Sequence, residues 1–155
     1  MPRRRYGSNA ANSATMVIDA SVWVAALLTN DVHHGASAAL LRALVHAGQQ
    51  AATPVLAWPE IAGAIARRTG DGNLARAAVA FLNRQAWLET VTVDEALARR
   101  ASVVATEQRL RGADAVYVAL ASLRDGMLIT LDREMIERPP ASVRSLTPTD
   151  WLNSA

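Results

Sequence analysis

Apolar positions along this chain fall into two rhythms. Short unbroken runs, Met16-Val17-Ile18 and Met127-Leu128-Ile129, have the length and density of buried strands. Longer segments place apolar residues three and four apart: Ala39, Leu40, Ala43, Leu44 and Ala47 lie within 35–48, a helical pattern that stops at Gly48. On these rhythms the chain predicts a strand at 16–19, helices at 21–29 and 35–48, and a second short strand at 50–53. Pro54 suits the first turn of a helix reaching about Thr69. Beyond the loop Gly70–Gly72 follow a helix over 73–85, a strand over 87–91, and a long helix capped by Asp94 that ends near Leu110. Gly112 is read as an interruption before helical periodicity resumes from Asp114 to Arg124. A turn at Asp125-Gly126, a strand at 127–130, a short helix at 133–137, a loop forced by Pro139-Pro140, a last strand at 143–146 and a terminal turn complete the order. Short apolar strands alternating with amphipathic helices predict a single α/β domain with a parallel sheet wrapped by helices.

Composition narrows the chemistry. At 155 residues, 51% apolar and 19% charged, the chain is long enough for one core and too apolar for wholesale disorder. Its 32 alanines point to helices packed closely through small side chains. Without cysteine there is no disulfide framework, thiol nucleophile or cysteine zinc site. All 16 basic residues are arginine, which excludes the P-loop lysine and every Schiff-base mechanism.

The net charge of +2 is unevenly placed. Arg3, Arg4 and Arg5 lie in an opening stretch without apolar periodicity, so residues 1–15 are expected to be a disordered tail and 16–155 the domain. Without those three, 13 arginines face 14 acids. The broad basic footprint of many nucleic-acid binders is missing, and any contact with a polyanion has to be local or bridged by metal. Asp19 breaks the apolar run that a twin-arginine signal would need, and no stretch reaches the ~18 apolar residues of a membrane span. A soluble, cytoplasmic protein is expected.

Most of the 14 acids read as solvated charges, caps or loop residues, Asp31, Asp71 and Asp125 among them. Four interrupt apolar contexts. Asp19 and Asp132 each end a strand-like run, and ligands of open parallel sheets bind beyond the carboxyl ends of strands. Asp114 opens the apolar helix Asp-Ala-Val-Tyr-Val-Ala-Leu-Ala, where the positive helix terminus supports its charge. Glu60 lies within Pro54-Val55-Leu56-Ala57-Trp58-Pro59-Glu60-Ile61, where burial is costly without a partner. Singly, each has an ordinary structural explanation. Together they reach one end of one sheet, where two carboxylates ~4 Å apart repel by about 4 kcal/mol at an effective dielectric of 20. Such a group needs protons, arginine partners or divalent cations, and Mg²⁺ or Mn²⁺ suits an all-oxygen donor set most directly.

These residues resemble the motifs of PIN-domain ribonucleases, in particular the VapC toxins of toxin–antitoxin pairs. The likeness spans about residues 16–152. It rests on Val17-Ile18-Asp19-Ala20-Ser21, on Thr53 through Ile61, on Arg111-Gly112-Ala113-Asp114-Ala115-Val116-Tyr117-Val118-Ala119-Leu120-Ala121, on Leu128-Ile129-Thr130-Leu131-Asp132, and on the closing Leu146-Thr147-Pro148-Thr149-Asp150-Trp151-Leu152. It implies a three-layer α/β/α domain with a short central parallel sheet, and a Mg²⁺- or Mn²⁺-dependent endoribonuclease acting on RNA as a homodimer restrained by an antitoxin. By position, Asp19, Glu60, Asp114 and Asp132 take the catalytic and metal-ligand roles. Ser21 and Thr130 match hydroxyls that bond the metal, its water or a neighbouring carboxylate, with local capping as their other reading. The 15-residue tail and the absence of lysine depart from the family pattern.

Other residues are read more plainly. His33 and His34 lack a third ligand at zinc spacing, and no G-x-S-x-G elbow supports a serine triad on Ser21. Trp23, Trp87 and Trp151 read as core, with Trp58 the candidate exception two residues from Glu60. Arg67, Arg68, Arg111 and Arg133 are candidate phosphate contacts, Arg133 foremost because it follows Asp132. A non-cleaving RNA-binding scaffold and a DNA or flap nuclease with the same metal site stay open as alternatives.

Overall fold

Residues 15–155 are described by a computed structural model. The elements run β1 (Met16–Ile18), α1 (Ala20–Leu27), α2 (His34–His46), β2 (Ala51–Pro54), α3 (Ala57–Thr69), α4 (Gly72–Asn83), β3 (Leu88–Val91), α5 (Glu95–Gln108), α6 (Gly112–Leu123), β4 (Met127–Ile129), α7 (Arg133–Glu137), β5 (Arg144–Leu146) and α8 (Pro148–Ser154). All five strands pair in parallel, in the order β3-β2-β1-β4-β5. β1 therefore lies at the centre, and the chain builds outward from it first to β2 and β3, then to β4 and β5. That reversal opens a crevice beyond the carboxyl ends of β1 and β4.

Burial explains why such short strands suffice. Val17, Ile18, Ala51, Ala52, Leu128 and Ile129 are all fully buried, as central parallel strands covered on both faces must be. α6 lies against β1, β2 and β4 and pairs with α5, while α1 packs on α2 and α3, and α3 on α4. From Asp114 to Ala121 every residue of α6 is buried, and Ala115, Ala119 and Ala121 keep it close to the sheet. At the turn before β4, Gly126 has φ +79, and a Cβ there would stand 2.4 Å from the Ser142 carbonyl oxygen, so only glycine fits.

The α/β organisation stands as expected, with three local corrections. Pro54 ends β2 instead of opening the next helix, because residue 54 still pairs with Val91 and the helix starts at Ala57. Gly112 is the first residue of α6 and not a break, with α5 ended by Arg109 in the left-handed region at φ 55. The closing turn is a helix, α8, capped by Thr147, whose hydroxyl accepts from the Asp150 N–H, with Pro148 at its first turn. The tail expected at residues 1–15 lies, Thr15 apart, outside the described residues.

Candidate active site

β1 hands directly into α1, and Asp19 sits between them. Its backbone N–H continues the sheet by donating to the Ile129 carbonyl at 3.0 Å, and it stands at the N-cap of α1 without using its side chain as a cap. The carboxylate is committed elsewhere. Its Oδ2 accepts from Ser21 Oγ at 2.5 Å and from Thr130 Oγ1 at 2.9 Å. Those hydroxyls accept in turn from the backbone N–H groups of Leu131 and Asp132, at 3.1 and 3.0 Å. Since each hydroxyl oxygen already takes a backbone N–H, its single proton is directed at Asp19. Ser21 and Thr130 thus bond the neighbouring carboxylate and clamp the β4–α7 connection to it.

Asp132 is the N-cap of α7, and its Oδ1 accepts from Glu134 N–H at 2.8 Å and Met135 N–H at 3.3 Å. Its Oδ2 accepts from Arg111 Nη2 at 3.0 Å, and the same guanidinium donates through Nε to Asp114 Oδ2 at 2.8 Å. Asp114, in the first turn of α6, is only 7% exposed. Arg111 is thereby the cation that joins the starts of α6 and α7.

Glu60 enters from the first turn of α3, and its Oε2 accepts from the Tyr117 hydroxyl at 2.5 Å. Tyr117 is fully buried, three residues beyond Asp114 on the same helix. The sequence assigned it no role beyond its place in the apolar helix that Asp114 opens. The available signal was the i,i+3 spacing, which puts both side chains on one side of α6.

Asp19, Glu60, Asp114 and Asp132 line one open cleft of about 710 Å³, together with Ser21, Arg67, Arg68 and Arg111. Asp31, read from the sequence as a loop acid, also lines it and pairs with Arg68 at 2.7 Å. No local pattern announces that pair, because 37 residues separate its members. Arg133 lies outside the cleft lining, its Nε donating to Glu137 at 2.5 Å along α7. Trp58 packs on the core, and Trp23 is fully buried with its ring centroid 5.9 Å from that of Trp87. His34 lends Nδ1 to the Ala25 carbonyl at 3.0 Å, while His33 and His46 are exposed.

Electrostatics divides the acids. Burial pushes Asp19 up to about 6; Ser21 and Thr130 pull it down, and the charges of Glu60 and Asp114 push it further up. Burial also raises Glu60, against the Tyr117 hydrogen bond, with Asp114 adding to the rise and Arg111 opposing it. Asp114 is raised by burial and held back by the Arg111 hydrogen bond and charge. Four carboxylates without a sulfur or nitrogen donor suit a hard divalent cation. Among the described residues, however, no three His, Asp or Glu side chains are grouped closely enough to grip one ion, and Arg111 holds the place between Asp114 and Asp132. The donor chemistry is that of a hard-cation site, and the four acids share one cleft.

Residues 16–140 match the family model of the PIN domain. No curated protein matches the chain in sequence. Among solved structures, the chain is similar to VapC20 of Mycobacterium tuberculosis, described as a toxin that cleaves the sarcin-ricin loop, with 20% identity and a TM-score of 0.66 over 84% of this chain and 99% of that one. A toxin–antitoxin complex from Klebsiella pneumoniae gives 19% identity and a TM-score of 0.62 over 86% and 98%. VapBC2 from Rickettsia felis, solved with a DNA fragment of its promoter, gives 12% and 0.65 over 86% and 98%. At such identities the likeness to solved structures is one of fold. The family model spans most of the described chain, from the first strand past α7, and on that match the chain belongs to the PIN-domain family.

Proposed function

We propose that this protein is a divalent-metal-dependent endoribonuclease, the toxin of a toxin–antitoxin pair. The observation that carries the reading is the convergence of Asp19, Glu60, Asp114 and Asp132 on one cleft, beyond the strand ends where the sheet order reverses. A bound Mg²⁺ or Mn²⁺ would supply Lewis-acid charge to a phosphodiester and ease deprotonation of a water. The protein's own part is to hold and orient. Ser21 and Thr130 fix Asp19, Tyr117 fixes Glu60, and the cap bonds of α7 fix Asp132. Glu60, with its raised affinity for protons, is suited to take one from the attacking water. Arg67 and Arg68, on the α3 side of the cleft, are suited to phosphates flanking the cut, and take the place that sequence reading gave to Arg133.

The family and the toxin–antitoxin structures of similar fold support a toxin role with a protein antitoxin as partner, and we infer homodimerisation and a cytoplasmic setting alongside. No helix among the described residues is long and apolar enough to cross a membrane. The test is cleavage of single-stranded RNA, single-stranded DNA and branched duplex in Mg²⁺ and in Mn²⁺. RNA should be cut by the wild type and left intact by Asp19→Asn and Asp114→Asn. RNA binding without cleavage in either metal would make the protein a scaffold, and preferential cutting of DNA would make it a DNA nuclease.

A further inference from the structure

Arg111 precedes α6, and its side chain is 71% exposed, yet it engages two of the four acids at once. The oxygens it takes decide what the site can bind. Asp132 has given Oδ1 to the N–H groups of Glu134 and Met135, so the Oδ2 bonded to Arg111 is its remaining oxygen. Ser21 and Thr130 occupy Asp19 Oδ2, and Tyr117 occupies Glu60 Oε2. Asp19 Oδ1 and Glu60 Oε1 have no hydrogen-bond partner among the described residues. With Arg111 turned away, each of the four carboxylates has at least one oxygen open to a cation, and Asp114 has both. With Arg111 in place, Asp132 has no free oxygen and Asp114 keeps only Oδ1.

We propose that Arg111 is an internal counter-ion of the acid site, which a divalent cation has to displace in order to reach Asp132 and the second oxygen of Asp114. This rests on the nuclease reading and goes beyond it by giving the chain its own restraint on cation loading. The exposure of Arg111 makes displacement feasible, because ion pairs in contact with water are weak and screened by salt. Two such pairs lower cation affinity by roughly tenfold at low salt and by less at high salt.

The experiment is Mn²⁺ titration calorimetry at low and high salt on the full chain, comparing wild type, Arg111→Gln, Arg111→Lys and Asp114→Asn. A companion measurement follows the Arg111 Nε–H resonance during Mg²⁺ addition. Arg111→Gln should bind Mn²⁺ about five- to tenfold tighter than wild type at low salt, with the gap closing as salt rises. Arg111→Lys should fall between them, and the Nε–H resonance should shift with the midpoint of Mg²⁺ binding. If Asp114→Asn loses Mn²⁺ while Arg111→Gln binds no tighter than wild type, the counter-ion role is overturned and the acid site stands. A resonance that stays unmoved at Mg²⁺ saturation overturns it equally. Absence of Mn²⁺ binding in both wild type and Arg111→Gln overturns the cation site itself, and the nuclease reading with it.

Discussion

The two halves of the cleft solve the same electrostatic problem in opposite ways. On the β1–α3 side, Asp19 is 5% exposed and Glu60 is half-buried, and both are held by hydroxyls. A hydroxyl stabilises a carboxylate without cancelling its charge, so both acids keep a raised affinity for protons. On the α6–α7 side, Asp114 and Asp132 share the guanidinium of Arg111, and Asp132 also receives two N–H groups at the start of α7. The first half has no cation paired with its two acids, and the second has one guanidinium for two. Uncompensated negative charge therefore concentrates around Asp19, where a cation would gain most.

The largest expected effect breaks that contrast directly. Burial pushes Asp19 up to about 6 in the folded chain, against 3.8 for an ordinary aspartate in the unfolded one. Between those values the folded state holds a proton that the unfolded state releases, so stability falls as pH rises from about 4 to 6 and stays lower above. Asp19→Asn in chelator should remove this and stabilise the protein by about 2–3 kcal/mol at pH 7, a gain that vanishes below pH 4. Asp114→Asn should gain less, because Arg111 loses a partner. Thermal melts across pH read both, and equal gains would show that the halves are electrostatically alike.

Next in size is the metal effect. Mg²⁺ or Mn²⁺ at about 100 times its dissociation constant should add ~2.7 kcal/mol, a rise of several degrees in melting temperature. The rise should shrink at pH 5, where Asp19 is mostly protonated, and should be reduced in Glu60→Gln and nearly absent in Asp19→Asn. A rise that persists unchanged in both variants would place the cation elsewhere.

Tyr117→Phe sharpens the hydroxyl half. Losing a buried donor to Glu60 should lower stability by about 1–2 kcal/mol, and kcat should fall while RNA affinity holds. Denaturant titration and single-turnover kinetics separate these effects. Arg133→Ala marks the small end of the scale. Its pair with Glu137 lies on the exposed face of α7, so melting temperature and cleavage should both be unaffected. A clear loss of cleavage in this variant would return Arg133 to the substrate path.

Much of this molecule can be read from the chain alone, because the signals involved are local. Apolar runs three or four residues long mark β1 and β4, alanine-rich 3.6-residue periodicity marks α2, and an acid closing each apolar run marks Asp19 and Asp132. Asp94 identifies its own helix start because a capping bond reaches only three residues ahead. Boundaries resisted where pairing outweighed local preference: Pro54 favours a helix start, yet its place beside β3 makes it strand. The partners of the acids were out of reach for a different reason. Tyr117 meets Glu60 across 57 residues, Thr130 meets Asp19 across 111, and Arg111 meets Asp132 across 21. Sequence patterning says which residues are costly to bury; only the order of strands in the sheet brings together the groups that meet that cost. An α/β chain with four suspect carboxylates is legible in the residues alone; which acids meet hydroxyls and which a guanidinium emerges only on folding, because hydrogen bonds depend on distance in space and not along the chain.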